Sequence, residues 1–73
     1  MISDKDVAKQ VSDLMMDISQ KIDDSIRLVQ EKCPENDFKA YQSAAARVLG
    51  STLLDVMMPI YQVHPSLKPE GLR

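Results

Sequence analysis

Seventy-three residues with 44% apolar content make one small domain, and the net charge of −2 with a pI near 5.1 offers no phosphate-binding surface. One cysteine (Cys33) and one histidine (His64) exclude an internal disulfide framework, a cysteine-based zinc site and the usual nucleophile–base pairs. Aromatic platforms for nucleic acid are also scarce, with only Phe38, Tyr41 and Tyr61. Residues 1–38 carry nine acidic and five basic side chains, whereas 39–73 carry two acidic and four basic ones. The mildly basic half is too scattered to form a patch, so no nucleic acid is expected as a partner.

The N-terminus lacks the charged-then-apolar pattern of a secretory signal, and Arg47 and Asp55 interrupt the best apolar run. A cytoplasmic protein with no membrane partner is expected.

The first predicted helix covers about 3–33. Ser3 suits the N-cap, Asp4 and Asp6 the positive end of the dipole, and Asp6 the capping-box acid. Val7, Val11, Met15, Ile18, Ile22, Ile26, Val29 and Cys33 follow at spacings of 4, 4, 3, 4, 4, 3 and 4, an eleven-residue repeat. This stripe is expected to face a partner along the whole rod. Leu14 widens it, Leu28 lies at its edge, and Met16 is placed on the opposite face. Pro34 breaks the helix at Cys33, and Asn36 or Asp37 is expected to cap the next one. A connection this short makes the two helices antiparallel neighbours.

The second predicted helix runs from about 37 to 58 and is apolar on most of its circumference. Between Ala40 and Tyr61 only Arg47 and Asp55 are charged. Tyr41, Ala45, Val48, Leu49, Thr52, Leu53, Val56 and Ile60 form a wide arc that one neighbouring helix cannot cover. That arc is the expected dimer interface, with helix two packing on helix two of a second copy. Gly50 costs about 1 kcal/mol in a helix interior, which predicts a close helix crossing at Ala46 and Gly50. Pro59 is expected to end the helix near Met58. Residues 59–73 are expected to form a proline-rich tail of turn or extended chain, with Leu67 and Leu72 available to close the bundle end or to bind a partner.

Asp13, Asp17, Asp24 and Glu31 line one flank of helix one with Asp6. They offer a possible surface for a basic partner, but an ordinary solvated face with i,i+4 pairs such as Asp17–Lys21 and Asp23–Arg27 is the favoured reading. Acids seven residues apart are about 10 Å apart along the axis, so no metal site is expected. Cys33, on the apolar stripe, is expected to be a buried and inert thiol.

These features predict an all-α fold: a long antiparallel helical hairpin with a proline-rich tail, dimerising into a four-helix bundle. The expected role is that of a small non-catalytic interaction module acting as a homodimer, without cofactor or catalytic residues. The alternative is a subunit or regulator, antitoxin-like or immunity-like, that docks on an unknown protein partner.

Overall fold

A computed structural model describes residues 1–69, all of whose regular structure is helical. Helix α1 spans Lys5–Lys32 and helix α2 spans Glu35–Ser51. A π-helical segment, Thr52–Met57, joins α2 to α3 at Met58–Val63, and a 3₁₀ turn follows at Pro65–Leu67. The second arm is therefore one continuous rod from Glu35 to Val63, folded back antiparallel on α1. The hairpin measures 44 × 20 × 15 Å, and its long axis matches the roughly 42 Å rise of a 28-residue helix.

Asp4, rather than Ser3, caps α1: its carboxylate accepts the Val7 N–H at 3.0 Å and satisfies one of the free donors of the first turn. Asp6 lies within that first turn, where its charge complements the helix dipole. Cys33 adopts extended geometry, as the residue before a proline favours, and ends the helix. Pro34 then occupies the N-cap of α2, so Asn36 and Asp37 fall inside the first turn instead of capping it.

The arms meet along a line displaced from the centre of the apolar stripe. The inward row of α1 is Ala8, Ser12, Met15, Ser19, Ile22, Ile26 and Val29, buried or half-buried throughout and spaced 4, 3, 4, 3, 4, 3. A seven-residue repeat, not the eleven-residue one, thus faces α2, rotated by roughly 40° from the stripe's centre. The reason is steric: Ala8, Ser12 and Ser19 are small enough to admit the large side chains of the second arm. Ala8, Met57, Ile60 and Tyr61 form the core cluster, with Ile2, Val11, Met15, Leu53, Val56 and Leu67 packed around it.

Pro59 does not end the second arm. In a regular α-helix its ring would strike the carbonyl four residues earlier. Here the wider π turns relieve that clash, and the N–H of Met58 reaches the carbonyl of Leu53, five residues back. The helix continues to Val63 and brings Ile60 and Tyr61 into the core.

The tail folds back over the open end of the hairpin. Leu67 packs on the core cluster, and His64 Nε2 lies 2.9 Å from the Ile2 carbonyl oxygen, tying the tail to the N-terminus. Ile2 holds a φ of 56°, an uncommon conformation for a β-branched residue, with its side chain against the core. The expectation for Leu72 lies outside the described residues.

Candidate interaction surface

Ser25 marks one flank of the hairpin. Its hydroxyl donates to the Ile22 carbonyl at 2.6 Å, which spends its single proton, so Tyr41 donates its phenolic proton to Ser25 Oγ, also at 2.6 Å. This bond places Tyr41 of α2 on the same side of the hairpin as Ser25 of α1. Helical periodicity extends both flanks. Val7, Leu14 and Ile18 share Ser25's side of α1, and Ala44, Val48 and Thr52 share Tyr41's side of α2.

Several side chains on this side are large, apolar and uncovered. Val7 is 47% exposed, Leu14 51% and Val48 51%; Leu28, at the edge of the α1 flank, is 57% exposed. Along α2 the surface is a shallow groove of about 500 Å³, lined by Ala44, Arg47, Val48, Ser51, Thr52 and Val56. The opposite side carries a smaller groove of about 330 Å³ between Met16, Leu49, Leu53, Met57 and Pro69. Met16 thus borders the second arm rather than pointing away from it.

The residues expected to form a dimer interface divide into three sets. Ile60 and Ala45 are buried within the chain itself, at 0% and 4% exposure, so neither has surface left to offer a partner. The π turns and the close seam with α1 turn them inward. Leu53 and Val56 are half-buried against the chain's own core, and Leu49 lines the smaller groove. Tyr41, Val48 and Thr52 remain on the open flank. Sequence reasoning missed Val7, Leu14 and Leu28 as its other half, because they were read as part of, or beside, an inward stripe. Their signal was the excess width of that stripe.

Within the chain, no helix crosses closely at Ala46 and Gly50. Nothing lies within 4 Å of a Cβ built on Gly50, and Ala46 is exposed. Both lie on the side of α2 turned away from α1. Cys33 is likewise exposed rather than buried, because the extended geometry before Pro34 swings it off the helical stripe. His64, tied to Ile2 at the far end, is separated from Cys33 by the length of α1, about 42 Å.

The acidic flank is largely self-neutralised. Lys9 holds Asp13 at 2.9 Å, Lys21 holds Asp17 at 3.0 Å, and Arg27 holds Asp24 at 2.6 Å rather than Asp23. Glu31 is exposed near the helix end. A hydrogen bond from Arg27, and a second from Gln20, hold the Asp24 carboxyl below the ordinary aspartate value. Asp13 raises the Lys9 ammonium above its usual value, first through their hydrogen bond and then through its charge. All these groups are well exposed, so each pair contributes little. Among the described residues no three His, Cys, Asp or Glu side chains converge as metal ligands, and no helix is long and apolar enough to cross a membrane.

No protein-family model, curated protein or solved structure matches the chain. The functional reading therefore rests on the surface itself.

Proposed function

We propose that the protein is a small non-catalytic interaction module that acts as a homodimer, two hairpins closing face to face into a four-helix bundle. The observation that carries this reading is the uncovered apolar flank shared by both arms, centred on Leu14 and Val48, each about half exposed. Its counterpart is a thin core. Among the described residues only Ala8, Ala45, Met57, Ile60 and Tyr61 are buried apolar residues, and a chain of this size with so little interior gains stability by association.

Size-exclusion chromatography with light scattering on the pure protein tests it. A folded species at twice the 8.2 kDa chain mass is expected at micromolar concentration. A folded, stable monomer under the same conditions overturns the reading. The thin core also favours a second reading, a subunit or regulator whose flank is covered by a helix of another protein. An unfolded or aggregating pure chain decides for that alternative.

A further inference from the structure

Two kinds of twofold axis bring the apolar flanks of two hairpins together. An axis parallel to the helices sets α1 of one copy over the second arm of the other. A perpendicular axis sets α1 over α1 and second arm over second arm. Resting on the homodimer reading, we infer that the second copy docks about the parallel axis, with its α2 over α1 of the first.

The chain has surface to lose to a second copy. A monomer of this mass exposes about 4,500 Å² by the usual size scaling. This chain exposes 5177 Å², more than a self-contained fold of its mass.

The placement of single charges selects the axis. The two arms carry the same net charge: Lys5–Lys32 has six acidic and five basic side chains, and the rod from Glu35 to Val63 has three acidic and two basic ones. The choice is made at the rim, at one level of the bundle. Arg47 borders the α2 groove and is the one basic residue between Lys39 and Lys68. It lies six residues beyond Tyr41, whose partner Ser25 fixes the height of the two arms. Counting the same rise back along antiparallel α1 reaches the turn that contains Asp17, which edges the same flank beside Leu14. The parallel axis sets Arg47 beside Asp17 of the partner subunit, joining the existing Lys21–Asp17 pair. The perpendicular axis through the middle of the hairpin sets each near its own like-charged mate, which disfavours that arrangement.

The single, exposed Cys33 reports the arrangement without any substitution. It sits at the hairpin turn, so the parallel axis puts both turns at one end of the bundle and the perpendicular axis puts them at opposite ends. With a nitroxide label on Cys33, pulsed electron–electron resonance on a sample whose mass is measured by light scattering should give a short distance. With helices 8–10 Å apart, the label separation should fall below about 25 Å. Arg47→Glu should weaken dimerisation a few-fold, and adding Asp17→Arg should restore it. A dimer with labels separated by about the 44 Å hairpin length, or no rescue by the double charge reversal, overturns the arrangement and leaves the dimer standing. A folded monomer overturns both.

Discussion

Ser12 of α1 and Tyr61 of α3 share a 2.5 Å hydrogen bond inside the core, where Ser12 is 2% and Tyr61 4% exposed. Each hydroxyl is the other's partner across the seam. Among the described residues no buried side-chain oxygen or nitrogen is left without one. The bond explains why a polar residue occupies the inward row. Ser12 is small enough to admit the phenol ring and supplies the group that its hydroxyl needs. It also fixes the height of the second arm on α1, and with it the register of the apolar flank.

Breaking both halves of this pair together should cost less than the two separate breaks added up. Tyr61→Phe leaves the Ser12 hydroxyl buried without a partner, a loss of about 1–3 kcal/mol, and Ser12→Ala does the same to Tyr61. The double variant leaves no orphan, so its loss in urea denaturation should fall well below the sum of the single losses. Strictly additive losses would show that the two hydroxyls are not coupled.

The helical hairpin was legible because its signals are local: a capped start, a long apolar period and a proline at the break. The seam was not. Periodicity reports where apolar side chains lie, and Ser12 and Ser19 are invisible to it, although their small size sets which face of α1 admits the second arm. Pro59 misled for a related reason. A proline removes one donor and crowds one carbonyl, but the loss is relieved when the preceding turns widen, and the core contacts of Ile60 and Tyr61 favour that outcome. Gly50 was read as evidence of contact, and its own chain makes none there.

The π segment yields a prediction of its own. A π turn holds one residue more than the α-helix it interrupts. Deleting the exposed Asp55 should convert Thr52–Met57 to α-helix while keeping Ile60 and Tyr61 in register. That restores the clash at Pro59, so the deletion alone should destabilise by about 3 kcal/mol. Adding Pro59→Ala should recover most of the loss in thermal melts. A deletion variant that melts no higher with Pro59→Ala than without it would refute this account.

Gly50→Ala should stabilise the protein. The site is helical and open, with nothing for a methyl group to meet, so the intrinsic propensity difference of about 0.8–1 kcal/mol is expected in full. A close crossing would instead make the substitution neutral or harmful. Chemical denaturation of the two proteins at equal concentration decides the sign.

Asp24 should titrate lower in the folded protein than in the unfolded chain, because Arg27, and then Gln20, donate hydrogen bonds to its carboxylate. A lowered carboxyl contributes stability at pH values above its unfolded value and loses it as pH falls through the folded one. The effect is small because the site is exposed, and salt screens it. Carboxyl-carbon NMR titration should show the Asp24 midpoint rising in Arg27→Gln. An unchanged midpoint would mean that the ion pair is not populated in solution.

Assembly and folding can be separated by the choice of residue. Val56 packs partly on the chain's own core, so a charge there would disturb the hairpin and the interface together. Val48 is 51% exposed on the open flank, and a carboxylate there remains solvated in an isolated hairpin. In a face-to-face dimer the same carboxylate is buried without a partner, at a cost of several kcal/mol. Val48→Asp should therefore shift the light-scattering mass from dimer to monomer at micromolar concentration and retain helical circular dichroism at low temperature. Leu14→Glu, on the other arm but the same flank, should do likewise. As a control, Gln62→Glu adds an exposed charge to the second arm outside that flank and should leave the mass unchanged. If Val48→Asp and Leu14→Glu both keep the dimer mass, the flank that they share is not the surface through which the protein associates.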